Sequence, residues 1–190
     1  STGFGRAYRH SLAGAWGIAD VQDTQQAIGY LTEQHIIDPQ RCLIRGGSAG
    51  GYTVLSALTF TDTFQAGASL YGIGDLETLA KDTHKFESRY MDSLIGPYPE
   101  RRDIYLERSP IHHAEGLNCP VIFLQGLEDK VVPPNQAEMM VKLLQDKGIQ
   151  VEYVSFPDEG HGFRKANNII RAMESELAFY RDVFNLAGKA

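Results

Sequence analysis

The stretch Arg45-Gly46-Gly47-Ser48-Ala49-Gly50-Gly51 constrains this chain more than any other. The apolar run Cys42-Leu43-Ile44 precedes it and a helix-compatible run, Tyr52 to Leu58, follows, so it marks a sharp turn from a buried strand into a helix. In Gly-x-Ser-x-Gly the serine backbone is strained, and the flanking glycines matter because the adjoining strand and helix leave no room for side chains. The serine hydroxyl then stands at the carboxyl end of a sheet. The amide of Ala49 points into the same space, where it can donate to a developing oxyanion. The plainer alternative is a glycine-rich strand-to-helix turn with an incidental serine.

Taken in order, Ser1 to Ala15 reads as loop. Ile18, Val21, Ile28 and Leu31 recur at helical spacing, with Asp20 and Asp23 in the first turn, and the run stops at Asp38-Pro39. Arg41 to Arg45 is the strand feeding Ser48. Ala66 to Tyr71, Pro120 to Gln125 and Val151 to Phe156 are three further short strands, the one from Pro120 apolar throughout as strands inside a parallel sheet tend to be. Asn135 to Lys147 is an amphipathic helix closed by Gly148. From Asn167, read as an N-cap, the residues Ile170, Met173, Leu177, Tyr180 and Phe184 trace the apolar stripe of a long final helix. Alternating strands and helices imply an α/β fold with a parallel sheet and helices on both faces. Gly72 to Asn118 interrupts the alternation and reads as an insertion over the strand ends, where insertions shape binding pockets.

With 190 residues, 43% hydrophobic and 22% charged, the chain fits one soluble globular domain. No apolar run approaches membrane-spanning length. The 18 basic and 24 acidic residues leave a net charge of −6 without a long basic run, which argues against nucleic acid or an anionic membrane as partner. Cys42 and Cys119 each begin an apolar run, so two free thiols in a reducing, cytoplasmic setting are expected rather than a disulfide or metal site.

A serine hydroxyl is a poor nucleophile near neutral pH and needs a base, and the base needs a carboxylate that orients it. In the alpha/beta-hydrolase order, Ser is followed by Asp or Glu and then His, the last two on loops after later strands. Glu128 and Asp129 follow the third strand, and Gly160-His161-Gly162 follows the fourth. Of six histidines, His10, His35, His84, His112 and His113 follow no strand, which leaves His161 as the base candidate. Between Glu128 and Asp129 the residues themselves do not decide.

Several of these features together resemble one family. The Gly-Gly-Ser-Ala-Gly-Gly turn, Ser1-Thr2-Gly3-Phe4-Gly5-Arg6, Trp16-Gly17-x-x-Asp20, Ser109-Pro110, Gly126-x-x-Asp129 and Gly160-His161-Gly162 are similar to the catalytic domain of the prolyl oligopeptidase family of serine peptidases. Within it they look closest to the acylaminoacyl-peptidase and dipeptidyl-peptidase branches. The resemblance runs in order over nearly the whole chain. It implies an alpha/beta-hydrolase fold, Ser48 as nucleophile, His161 as general base, Ala49 as an oxyanion donor, and no metal or organic cofactor. It also selects Asp129, three residues after the strand-ending glycine, over Glu128. Phe86-Glu87-Ser88-Arg89-Tyr90-Met91 is similar to a stretch whose leading aromatic lines the substrate pocket, which makes Phe86 a pocket wall and Tyr71 a second candidate.

Val131 departs from the pattern, standing where some members carry an arginine for a substrate carbonyl. The family also carries, upstream of the matching region, the first strands of the sheet, a loop with a second oxyanion donor and a beta-propeller that limits access. The expectation is therefore the carboxyl-terminal part of a longer enzyme acting on short peptides. An unpaired nucleophile strand would pair with those upstream strands or with a second copy of the chain. A carboxylesterase and a catalytically silent assembly module are the rival readings.

Overall fold

Four parallel strands lie in chain order in one sheet of the computed structural model, which describes residues 2–82 and 89–186. They are β1 Leu43–Gly47, β2 Ala66–Leu70, β3 Val121–Gly126 and β4 Val151–Phe156. Among the described residues β1 pairs only with β2 and so forms one margin of the sheet; Leu43 is in register with Ala66, Gly67 with Val121, and Val121 with Val151. β2 and β3 are buried at every position, as expected of inner parallel strands covered on both faces.

The helices are α1 Gly5–His10, α2 Ala19–Glu33, α3 Ala49–Phe60, α4 Leu76–Asp82, α5 Tyr90–Leu94, α6 Arg102–Glu107, α7 Asn135–Asp146 and α8 Ala166–Val183. On one face, Val54, Leu55 and Leu58 of α3 and Met140 and Leu144 of α7 pack on Ile44, Val121 and Phe123. On the other, Ala172 and Phe179 of α8 pack on Ala68, Ile122, Leu124 and Phe156. Each large apolar side chain so buried contributes roughly 1.5–3 kcal/mol. A third cluster joins Ile73, Leu76, Met91, Ile95, Ile104 and Tyr105 from the Gly72–Asn118 segment to Trp16, Tyr52 and Val132. The Trp16-Gly17-x-x-Asp20 motif is a clamp within this arrangement. Gly17 has φ +83° and packs on the Tyr52 ring, while Asp20 accepts from the Gly17 N–H at 2.7 Å and the Thr53 hydroxyl at 2.5 Å.

Three sequence expectations change. The opening is not all loop: Thr2–Phe4 is a 3-10 turn and α1 follows. α1 buries no residue, so it carries no apolar periodicity to betray it. α8 begins at Ala166 rather than after an Asn167 cap, with Lys165 at the N-cap position, and Glu159 fastens the chain just ahead of it by accepting from the Arg164 and Lys165 N–H groups at 3.0 and 2.8 Å. Most of the stripe on α8 is not its buried face. Ile170, Met173 and Leu177 are 53%, 63% and 49% exposed, and the helix instead buries Ala172, Glu176 and Phe179. Met173 and Leu177 line a cavity of about 570 Å³ beside Arg45 of the marginal strand, which has no outer neighbour among the described residues. Among the described residues no helix is long and apolar enough to cross a membrane.

Glu77 ties down the segment after β2. Its carboxylate accepts from Arg102 Nε at 2.5 Å, from Tyr98 Oη at 3.0 Å and from Lys81 Nζ at 3.2 Å. The Arg102 guanidinium above all holds this carboxyl down at about 2 against an ordinary 4.5. A carboxylate lowered on folding stabilises above its unfolded pKa, and that contribution fades as pH falls. The stability difference between wild type and Glu77→Gln is expected to be constant above pH 4.5 and to shrink between pH 4.5 and about 2, as read by chemical denaturation across that range.

Candidate active site

Ser48 sits alone between β1 and α3, with φ 57° and ψ −121°. Such a conformation costs a residue with a side chain on the order of 1–3 kcal/mol and persists only where the surroundings impose it. Here the Ser48 N–H donates to the Leu70 carbonyl at 2.9 Å, and the Ser48 carbonyl accepts from the Tyr52 N–H at 3.1 Å. The glycine requirement is not symmetrical about the serine. A Cβ on Gly46 would run into the backbone of Gly50, and one on Gly51 would come within 2.6 Å of Gly72 Cα, yet around Gly50 itself there is open space. Gly50 is thus the surface against which Gly46 must be bare. Ala49 opens α3, so its N–H belongs to the first turn, whose donors have no intrahelical acceptor.

His161 reaches Ser48 from the loop after β4, with Nε2 2.8 Å from Ser48 Oγ. Its Nδ1 lies 2.8 Å from Asp129 Oδ2 on the loop after β3. The Asp129 side chain is 0% exposed, and its Oδ1 accepts from the Val131 and Val132 N–H groups, each at 2.9 Å. A buried carboxylate needs such donors to offset its lost hydration. With Asp129 purely an acceptor, Nδ1 carries the proton and donates, which leaves Nε2 to accept from the Ser48 hydroxyl.

The loops bearing acid and base are fastened to each other. The Glu128 N–H donates to the Glu159 carbonyl at 2.9 Å, and a Cβ on Gly126 would lie 2.5 Å from the same carbonyl oxygen. Two side chains that sequence reasoning passed over hold this arrangement. Gln125, fully buried, donates through Nε2 to the Gly126 and Val132 carbonyls at 3.0 and 3.2 Å. Its signal was an amide ending an otherwise apolar strand. Glu159 is buried and, besides holding the Arg164 and Lys165 N–H groups ahead of α8, accepts from Asn168 Nδ2 at 2.9 Å, a bond that foremost keeps its carboxyl below the ordinary range. It stands immediately before Gly160-His161-Gly162.

The remaining candidates fall as follows. The Glu128 side chain is exposed, and Asp129, not Glu128, meets His161. Tyr71 follows β2 and sets its ring 5.0 Å from that of His161 and 5.5 Å from Phe163, centroid to centroid. Phe86 lies outside the described residues. Among the described residues no group of three or more His, Cys, Asp or Glu side chains is placed to hold a metal ion. Cys42 and Cys119 are free, and burial raises both thiol pKa values, that of Cys119 to about 11.

Known proteins share this arrangement of sequence and fold. The profile of the prolyl oligopeptidase family matches residues 1–187. Dipeptidyl aminopeptidase BIII of Pseudoxanthomonas mexicana is 34% identical over 88% of this chain and 25% of its own length. The acylamino-acid-releasing enzyme of Arabidopsis thaliana is 31% identical over 85% of this chain and 22% of its own length. The solved structure of a Mycobacterium tuberculosis puromycin-hydrolyzing peptidase superposes with a TM-score of 0.97 at 49% identity, covering 100% of this chain and 29% of that one. The chain therefore spans about a quarter of the length of the curated relatives it matches.

Proposed function

The chain belongs to the prolyl oligopeptidase family, and on that premise we propose that it carries the catalytic serine of an enzyme cleaving peptide or acyl-amide bonds of short peptides. The observation that carries the proposal is the unbroken relay from Ser48 Oγ to His161 Nε2 and from His161 Nδ1 to Asp129 Oδ2, both at 2.8 Å. Ser48 Oγ attacks the scissile carbonyl carbon while His161 Nε2 takes its proton. The Ala49 N–H faces the oxyanion as one donor, and a second comes from an upstream segment of the same protein. His161 then returns the proton to the nitrogen as the C–N bond breaks, and water repeats the sequence on the acyl-serine. Asp129 stays ionised and stabilises the imidazolium throughout.

In this reading residues 1–190 are part of one catalytic domain, and 72–118 is its pocket-forming insertion, with Phe86 as a wall. Upstream strands of the same protein cover the outer side of β1, and a propeller limits access to short peptides. The bare α8 stripe beside Arg45 supports a partner there, and with those strands absent a second copy of the chain is the expected occupant. The two free thiols support a reducing, cytoplasmic setting.

A fluorophosphonate probe on the intact protein tests the central assignment: wild type labels, Ser48→Ala does not, and an unlabelled wild type overturns the proposal. Hydrolysis of acyl-peptide amides and puromycin is expected alongside labelling. Activity on ester reporters alone would make the enzyme a carboxylesterase. If the intact protein labels and residues 1–190 alone do not, the chain is a module that needs the rest.

A further inference from the structure

The hydrogen bond that His161 Nδ1–H donates to Asp129 locates the imidazole but does not set its tilt, because the terminal torsion of histidine is broad. Tyr71 supplies what is missing. Its backbone has φ 39°, a left-handed value that bulky residues rarely adopt, and its N–H is held by the Leu124 carbonyl at 2.8 Å. The ring is thereby turned back toward the loop after β4. It meets His161 edge-on, at 63° between planes, and meets Phe163 at 83°. Phe163 in turn rests on Phe156, with centroids 4.4 Å apart. On its far side the ring occupies the place of a side chain at residue 47. A Cβ on Gly47 would come within 2.8 Å of Tyr71 Cε2, 3.0 Å of its hydroxyl oxygen and 3.1 Å of Cζ. Gly47 immediately precedes Ser48 and is not among the glycines with positive φ, so its bareness answers to the Tyr71 ring and not to its backbone.

We propose that Tyr71 is a positioning residue, a wedge seated on Gly47 that fixes the tilt at which His161 presents Nε2 to Ser48. The inference rests on the catalytic reading above and departs from the assignment of Tyr71 to the substrate pocket. The contacts with His161 and Phe163 are made by the ring, so an unsubstituted ring suffices. A misplacement of reacting groups by about 1 Å costs roughly a hundredfold in rate, so a partial loss of tilt control is expected to lower kcat about ten- to a hundredfold.

The test is steady-state kinetics of the intact protein on a set of amide reporters that differ in the residue before the scissile bond. Tyr71→Phe, which keeps the ring, loses less kcat than Tyr71→Leu. Tyr71→Leu lowers kcat by the same factor on every reporter and leaves KM unchanged. Gly47→Ala, whose new methyl displaces the ring, reproduces that loss. Leucine lacks the atoms the methyl would strike, so Gly47→Ala added to Tyr71→Leu lowers kcat no further. A rise in KM that varies with the reporter would make Tyr71 a pocket wall and overturn the inference. Unchanged kcat in Tyr71→Leu, equal losses in Tyr71→Phe and Tyr71→Leu, or additive losses in the double variant would overturn it as well. If Tyr71→Leu does not fold, Gly47→Ala decides alone, since full activity there contradicts a seated wedge. Ser48→Ala run in parallel separates the two levels, because labelling of that variant defeats the catalytic reading whatever Tyr71 does.

Discussion

Replacing His161 with alanine is expected to lower turnover of an amide reporter by about a millionfold, and Asp129→Asn by roughly ten-thousandfold, with the double variant hardly worse than His161→Ala. The asparagine effect follows from what surrounds position 129. Oδ1 there must accept from the Val131 and Val132 N–H groups, so the amide nitrogen of the new side chain would be turned to His161 Nδ1. That nitrogen donates and does not accept, so the imidazole must move its proton to Nε2. In that tautomer Nε2 cannot take the Ser48 proton. Glu128→Gln is the internal control. Its side chain is exposed and only its backbone N–H is engaged, so kcat/KM stays at the wild-type value. A large loss in Glu128→Gln with none in Asp129→Asn would reverse the assignment of the acid.

The second large effect is on folding. Gly46→Ala would put a methyl 2.5 Å from the carbonyl carbon of Gly50 and 3.1 Å from its Cα. Backbone cannot rotate away as a side chain can, so either the first turn of α3 shifts or Ser48 leaves its strained conformation. Overpacking of this kind costs about 1–3 kcal/mol, and against rigid backbone the upper end applies. Gly50→Ala is the opposite case. Nothing lies within 4 Å of the added Cβ, and the residue sits in α3, where alanine is favoured over glycine by roughly 0.5–1 kcal/mol. Denaturant midpoints should therefore fall for Gly46→Ala and hold or rise for Gly50→Ala. Two glycines of one motif would then respond with opposite sign.

The parts of this protein that could be read from its sequence are those whose cause is local. β2 and β3 are buried throughout because both faces are covered, and their observed limits lie within a residue of the expected ones. Ser48, Asp129 and His161 each follow a strand, so the proximity of their loops was legible before any distance was known. What escaped depends on partners remote in sequence. Whether the Ile170-Met173-Leu177 stripe is buried is decided by what lies beyond Arg45, and helical periodicity is silent on that. Glu159 fastens the chain just ahead of α8 through the Arg164 and Lys165 N–H groups, where an asparagine cap was expected, and no capping rule names a residue so far outside the helix. The difference between Gly46 and Gly50 is one of direction, since each Cβ would point into different surroundings. A pattern of letters treats them alike.

The order of the strands has a mechanical corollary. Ser48 rides on β1 and His161 on β4, at opposite margins of the four-stranded sheet. Neighbouring strands stand about 4.8 Å apart, so the two tips are separated by roughly 14 Å of sheet that the Gly160-His161-Gly162 loop must bridge. Acid and base are fastened to each other over β3 and β4. Serine and base meet through the 2.8 Å bond at the far end of that span, with the Tyr71 ring packed between Gly47 and His161. The sheet thus acts as a caliper whose jaws are the nucleophile and the imidazole, and its span is the sum of the three strand spacings from β1 to β4.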